Sequence, residues 1–311
     1  MKLMKRVFSF VVLSCIAFGM AAQAFADQDN QALVARSSAI HRSPAELQQL
    51  VAPIALYPDP LVAQILAGAT HIVEVAAADR WIQSHSQVTG DELAAQVDQQ
   101  VWDVSVKALT GFPLVLANMD QNVVWTSSLG DAYRSQPQQL MAAIQIMRQR
   151  ASAAGNLAIN RQQTVTSDGG LISILPADPG VVYVPEYDPA LVYGAPVAPW
   201  PSWYPDPNLY LDGPGVAFGA GVGLGHFDGY GWGWRHWRSA WHHRAVWFNG
   251  GQYVWHSRSL IDANYLFHGT DDFSLARGAY DMRDMDGAAG IDLPAMSVRP
   301  FELNRAPPHA T

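Results

Sequence analysis

The sequence has almost no cysteine, since Cys15 is its single thiol. That residue lies within residues 1–26, a segment that we expect to be removed. The chain that remains would have no disulfide, thiolate metal site or cysteine nucleophile, although an exported protein is free to use disulfides. An alternative retains Cys15 as a lipidated first residue, because Val12-Leu13-Ser14-Cys15 loosely resembles a lipobox.

Long apolar runs are also scarce. Residues 1–26 combine a basic start with an apolar run over residues 7–20, and Ala24-Phe25-Ala26 places small residues where signal peptidases cut. The run is shorter than the ~20 residues that a spanning helix needs. We therefore predict a signal peptide cleaved after Ala26, and an exported protein that is periplasmic or associated with the outer membrane.

Basic residues are few. The chain has 19 Lys and Arg against 27 Asp and Glu, and loss of Lys2, Lys5 and Arg6 leaves 16 against 27, a formal charge of −11. So acidic a balance argues against nucleic acid as a partner.

Familiar catalytic motifs are missing. The sequence contains no G-x-S-x-G elbow, H-E-x-x-H helix, P-loop or dinucleotide glycine fingerprint, and no cofactor is predicted. His71 and Glu74 are the candidate catalytic residues, because a glutamate at i, i+3 from a histidine in an apolar run can act with it as general acid or base. The alternative is a buried pair with a structural role.

Residues 44–156 have the pattern of short amphipathic helices. Helical sequence starts at the capping box Ser43-Pro44-Ala45-Glu46. Tyr57-Pro58-Asp59-Pro60 ends that helix and begins another, with Asp59 expected to cap it and apolar residues at helical spacing from Leu61 to Ala69. We predict six or seven short helices.

After the helices the periodicity becomes that of strands. Short β-branched runs at 163–166, 171–175 and 181–184 are separated by turn sequences. We predict a small antiparallel sheet that ends with Leu191-Val192-Tyr193. The fold class is then mostly α: a helical domain with a small appended antiparallel β-sheet over residues 44–194, followed by a C-terminal region of low regularity.

Six sequence pieces, in order, resemble the domain-of-unknown-function family 3300 of bacterial secreted proteins. They are ALYPDPLVAQILAGAT, EVAAADRW, WDVSVKALTGFP, LGDAY, AAGNL and VVYVPEYDPALVYG. The resemblance covers roughly residues 47–194. It implies an exported bacterial protein with a helical domain, a variable low-complexity C-terminal part and no established activity, and it assigns no catalytic residue.

Composition sets the other boundaries. We predict a flexible lead at 27–43, a proline-rich linker at 195–214, a Gly/Trp/His-rich interaction region at 215–258 and a disordered tail at 259–311. The glycine run 215–225 is too short to span a membrane as a helix, so we interpret it as a flexible loop, with close helix packing as the alternative. Asn249-Gly250 predicts a β-hairpin.

The interaction region is locally basic and holds six of the eleven tryptophans. Tryptophan and arginine are the residues that anchor interfaces and lipid head-group regions. The predicted binding residues are Trp232, Trp234, Arg235, Trp237, Arg238, Trp241 and Arg244. Anionic lipid, lipopolysaccharide or cell-wall glycan would suit them as partners, and an envelope protein is a further candidate. The alternative is a tryptophan-rich hairpin stabilised by aromatic pairs.

The same region holds histidines that could ligate zinc or copper. These candidates are His236, His242, His243 and His256, although their spacing matches no standard metal site. We therefore favour a non-enzymatic binding or structural module that contacts an anionic envelope component. The alternatives are an envelope hydrolase or lyase that uses His71 and Glu74, and a periplasmic metal-handling protein.

Overall fold

The structure, a computed structural model, describes residues 41–207 and 213–254. All of them belong to one unit, Met1–Trp255. The predicted signal peptide, Cys15, most of the lead, the tail and His256 lie outside the described residues.

The described chain contains eight α-helical segments. They are α1 (Pro44–Val51), α2 (Asp59–Gly68), α3 (Ile72–Ser84), α4 (Gly90–Asp98), α5 (Val104–Leu109), α6 (Pro113–Gln121), α7 (Val123–Ser135) and α8 (Pro137–Ala153). A 3-10 turn joins α2 to α3 in one continuous helix, Asp59–Ser84. Counted in this way there are seven helices, and the prediction of a mostly helical fold is confirmed.

Helix α1 begins as the sequence predicted. The Ser43 side chain accepts the backbone N–H of Glu46, while the Glu46 carboxylate accepts the backbone N–H of Ser43 at 2.8 Å. This reciprocal capping box satisfies two of the free amide groups at the helix start.

Helix α2 forms the centre of the hydrophobic core, and every one of its residues is buried. It packs against α5, α7 and the C-terminal strands. The continuous helix Asp59–Ser84 is long and apolar enough to cross a membrane, but 67% of its most apolar window is buried inside the protein. Burial of this kind is what a central core helix requires.

Asp59 does not cap α2 as predicted. Pro58 is the N-cap residue, and the Asp59 carboxylate instead accepts the Arg148 guanidinium at 2.5 Å and the Trp241 indole N–H at 2.8 Å. Arg148 is fully buried and also donates to the carbonyl oxygens of Ala55, Tyr57 and Ile172. A buried ion pair can persist only where its remaining donors and acceptors are satisfied, as they are here.

Seven strands form three small antiparallel sheets in the described residues. They are β1 (Gln163–Asp168), β2 (Leu171–Pro176), β3 (Val181–Tyr187), β4 (Val216–Gly223), β5 (Trp237–Ala240), β6 (Ala245–Phe248) and β7 (Gly251–Gln252). They pair as β1-β2, β3-β4 and β5-β6-β7. The first three predicted strands are present. The predicted strand Leu191-Val192-Tyr193 is wrong: these residues form a turn, since Asp188 accepts the backbone N–H groups of Leu191 and Val192.

The glycine run 215–225 is neither a flexible loop nor a helix, because it contains strand β4 paired with β3. The glycines leave room for side chains of the neighbouring strand. A Cβ at Gly221 would lie 2.6 Å from Val181 and 2.9 Å from Tyr183. The glycines that suggested flexibility therefore allow a close cross-strand contact.

The predicted hairpin at Asn249-Gly250 is present. Phe248 pairs with Gly251 and Trp247 with Gln252, so the loop has two residues. Both loop residues have positive φ, 54° for Asn249 and 80° for Gly250. That geometry is the type I′ turn, which matches the twist of the flanking strands.

Candidate anionic-ligand groove

Four of the predicted binding tryptophans are buried. The exposed fractions of Trp232, Trp234, Trp237 and Trp241 are 3%, 8%, 2% and 6%, and all four belong to the core cluster that contains α2. The expectation that they face a partner is wrong, because each indole completes the hydrophobic interior of this protein.

The indole N–H groups explain how the tryptophans are held. Trp232 donates to the Asp98 carboxylate at 2.8 Å, Trp237 to the carbonyl oxygen of Trp232 at 3.0 Å, and Trp241 to Asp59. Trp241 also lies beneath the Arg148 guanidinium, 4.5 Å from ring centre to Cζ. Buried tryptophans usually find such partners, because an unpaired indole N–H loses its hydration.

The arginines of the same segment remain at the surface. Arg235, Arg238 and Arg244 are all exposed, and within strand β5 Arg238 alternates with the buried Trp237 and Ser239. Arg244 adopts a positive φ of 51° in the β5–β6 turn. This alternation separates the predicted binding residues into an inner aromatic set and an outer cationic set.

Two adjoining cavities lie between the β1–β2 hairpin and strands β5 and β6. Their volumes are about 310 Å³ and about 480 Å³, and both are lined by Ser173, Arg238, Ser239 and Trp247. We call the two together the groove. Its other polar lining includes Asp168, Arg235, His236, His242 and His243.

Trp247 is the aromatic side chain shared by both cavities. It lies opposite Arg238 in the β5–β6 register, and the Arg238 guanidinium is 4.8 Å from the indole centre. The His243 ring stacks against the same indole at 5.3 Å. Arg238 makes no ion pair with another described residue, so its charge is free to meet a ligand.

Two carboxylates line the groove, the buried Asp59 and the exposed Asp168, and a third, Asp228, pairs with its Arg235. Asp228 pairs with Arg235 at 2.5 Å, and Asp168 lies 3.4 Å from His242. The Asp168–His242 pair is exposed, and pairs of that kind contribute ~1 kcal/mol or less. An anion of higher charge can therefore displace Asp168 from His242.

The histidines proposed as metal ligands are dispersed. His236 bonds Asn249 at 2.7 Å, His242 faces Asp168, and His243 stacks on Trp247. Within residues 41–207 and 213–254, no three His, Cys, Asp or Glu side chains are grouped as metal ligands.

His71 and Glu74 belong to a polar cluster that the sequence did not reveal. The His71 Nδ1 is 4.0 Å from Glu74, and its Nε2 is 3.6 Å from Asp103 and 3.1 Å from the Tyr253 hydroxyl. Glu74 accepts the backbone N–H of Asp103. Asp103 also caps α5, since its carboxylate accepts the N–H of Ser105 at 2.8 Å.

Tyr253 is the buried member of this cluster. Burial, followed by the charge of Asp103, raises the pKa of Tyr253 well above its ordinary value. The neutral hydroxyl donates to Asp103 at 2.9 Å, so its oxygen is left to accept the Nε2 proton of His71. His71 and Glu74 are both half-buried, and the cluster joins the segment after strand β7 to helices α3 and α5.

Sequence reasoning missed Ser173, Asp168 and Trp247 as groove residues. Ser173 and Asp168 come from a hairpin about seventy positions away, and no local pattern predicts that it faces β5. Trp247 had one signal, its alternation with Val246 and Phe248 across a predicted hairpin.

The fold and groove together define an α-helical body with tryptophan-filled hairpins and a surface groove that contains two arginines. The chain belongs to the family described as "Protein of unknown function (DUF3300)", which matches residues 43–265. The match extends past the residues 47–194 that carried the resemblance and includes the tryptophan-rich hairpin.

A curated relative, "Uncharacterized protein YacH" of Escherichia coli (strain K12), is 34% identical over 230 residues, covering 61% of this chain and 37% of the relative. The chain thus spans well under half of that protein's length. No solved structure matches the chain.

Proposed function

We propose that the protein is an exported, envelope-associated binding module whose groove holds an anionic group of an envelope component, and that it is not an enzyme. The observation that carries the proposal is the pair of cavities sharing Arg238 and Trp247, with Arg235 at one end. Lipopolysaccharide, anionic lipid and acidic cell-wall glycan all present such groups.

The charge distribution supports an anionic ligand. The chain as a whole is acidic, with a formal charge of −8. The groove is lined by two arginines, three histidines and two carboxylates, and one of those carboxylates, Asp59, is already paired with the buried Arg148. Guanidinium groups bind phosphate and carboxylate in a bidentate manner, and the stacked Trp247 limits the freedom of Arg238. Within the described residues Arg238 makes no ion pair, so one placed charge on an acidic protein would favour a specific anion over general attraction to negative surfaces.

The aromatic interior supports the groove indirectly. Trp237 and Trp241 hold β5 against α2, and Ser239 donates to the carbonyl oxygen of Asp59 at 2.8 Å. The strand that carries Arg238 is therefore fixed to the most buried helix. A fixed cation loses less conformational entropy on binding than one on a loop.

The test is co-sedimentation of the purified chain with phosphatidylglycerol vesicles and with lipopolysaccharide, using phosphatidylcholine vesicles for comparison. Arg238→Ala should weaken binding to the anionic probes about tenfold or more, because each charge-assisted contact contributes ~1.5–3 kcal/mol. Arg80→Ala removes an equal charge from an exposed position on α3 and should change binding less than about twofold. Equal losses in the two variants, or no binding to any anionic probe, would overturn the proposal.

A further inference from the structure

The groove runs along two strands. Leu171 lines the cavity of about 310 Å³, Leu175 lines the cavity of about 480 Å³, and Ser173 between them lines both. Four residue steps of a strand extend about 13 Å, so the groove has at least that length beside β2. Along β5 the shared residue is Arg238, with His242 towards one end and Arg235 towards the other.

Both ends of the groove open to solvent. Asp168 and His242 are exposed at one end, and Arg235 is exposed at the other. Each cavity has the volume of a site for a drug-sized molecule, so a lone phosphate or carboxylate would fill only a small part of the groove. This shape suits a linear ligand whose chain passes through and continues beyond both ends.

The lining has both signs of polarity. The Asp59 carboxylate already accepts the Arg148 guanidinium, the Trp241 indole N–H and the backbone N–H of Ile174. The Asp168 carboxylate is 90% exposed and remains able to accept further hydrogen bonds. A carboxylate at this place repels a compact anion but accepts a hydroxyl group.

The groove offers little apolar surface to a lipid. Among the described residues, Leu175 is the one large apolar side chain that is both exposed and part of the lining. Association with a bilayer gains most of its strength from buried apolar area together with charge. The polar lining therefore favours a sugar chain over an acyl chain.

We propose that the ligand is an acidic oligosaccharide, whose carboxylate meets Arg238 while sugar hydroxyl groups meet Asp168 and Ser173. The inference rests on the proposed function, because it names the class of anion that the same groove binds. A guanidinium accepts a carboxylate in a bidentate manner, so Arg238 fixes one sugar at the centre of the groove. Further sugars then extend towards Arg235.

The test uses isothermal titration of the purified chain with oligogalacturonates of two to about six sugars. Affinity should rise at least tenfold from the dimer to the hexamer, since only the longer chain reaches both cavities. Maltohexaose, a neutral hexamer, should bind at least tenfold more weakly than hexagalacturonate. Phosphatidylglycerol vesicles and inorganic phosphate are the anionic probes without sugar.

Three substitutions locate the sugar chain. Arg238→Ala should weaken binding of every length about tenfold or more, whereas Arg235→Ala should weaken the hexamer about fivefold and the dimer less than about twofold. Asp168→Ala should weaken the hexamer about threefold because a hydroxyl acceptor is lost, and should not weaken binding of phosphate. Arg80→Ala is the matched control, and circular dichroism confirms that each variant is folded.

The outcomes separate this inference from the proposed function. Binding to vesicles or lipopolysaccharide that depends on Arg238, without tighter binding of longer galacturonates, would overturn the oligosaccharide and leave the anion-binding module standing. Tighter hexamer binding in Asp168→Ala would also overturn it, since the groove would then recognise charge alone. Absence of binding to every anionic probe would overturn both.

Discussion

A few polar side chains hold the parts of this protein together from within. Arg148 shows the principle, because its guanidinium satisfies three carbonyl oxygens and one carboxylate with no exposure to water. Tyr253 has a similar role where α2 joins α3, and its hydroxyl lies between His71 and Asp103. Such networks stabilise a fold only when they are complete.

The tyrosines predict how stability responds to alkali. Burial raises the pKa of Tyr133 to about 12. Tyrosines of the unfolded chain ionise near pH ~10. The stability that the neutral folded phenol contributes is therefore fully present below pH ~10 and is lost as the pH rises towards ~12.

Urea unfolding between about pH 8 and about pH 11.5 should show this decline. Tyr133→Phe should make the decline shallower by about 1–2 kcal/mol across that range, in addition to a constant loss for its missing hydrogen bond. Tyr204→Phe, at a side chain that is 72% exposed, should leave the slope as it is. Identical slopes in all three proteins would contradict the assignment.

The helices could be predicted from sequence and much of their packing could not. The capping box at Ser43, the proline starts and the Asn249-Gly250 turn are local signals, and all three gave the correct element. Gly130 is an example of helix packing that the sequence did not predict. Its absent Cβ lets α7 lie directly against the carbonyl group of Ala69, a contact between positions that are 61 residues apart. No local pattern reports such an approach.

Gly130→Ala is the corresponding experiment on these elements. The added methyl group would overlap the Ala69 carbonyl, so α7 and the 3-10 turn must separate, at a cost of about 1–3 kcal/mol or more. Gly229→Ala adds the same group where nothing lies within 4 Å and should change stability by less than about 0.5 kcal/mol. The free energy of urea unfolding distinguishes the two, and a neutral Gly130→Ala would show that the helices are not in contact there.

The sequence correctly predicted which segment contributes to the candidate site, but the prediction of which side chains face the solvent was wrong. The sequence pointed to the Trp/Arg segment, and the groove does contain Arg235 and Arg238. It also assigned binding to Trp237, which faces inwards because residues alternate sides along β5, and to Trp241, which is buried in the following turn and donates to Asp59. Composition cannot determine which face of a short strand is covered when the covering element, here α2, lies about 180 positions earlier.

At the scale of the whole molecule, the helical body and the C-terminal hairpins share one interior. Val246, Trp237 and Trp241 lie in the same buried cluster as Leu61 and Leu66. A chain stopped after Gly194 would lose these residues and expose the surface of α2 that they cover. Each large apolar side chain lost from the core contributes ~1.5–3 kcal/mol.

We therefore expect the chain stopped after Gly194 to lose its cooperative thermal transition, while a chain stopped after Trp255 retains it. Calorimetry and near-ultraviolet circular dichroism measure the difference. A cooperative transition of similar midpoint in the shorter chain would show that residues 44–194 form an independent core.

The hydrogen bond from the Trp241 indole to the Asp59 carboxylate joins residues that are 182 positions apart in the sequence. Partners so distant meet late, because the intervening loop must close before the contact contributes anything. During synthesis, Arg148 and Asp59 emerge long before the indole that completes their enclosure. A nascent chain shorter than 241 residues therefore lacks the indole that shields Asp59 and Arg148 from water, so the core around them is completed only after Trp241 has been synthesised.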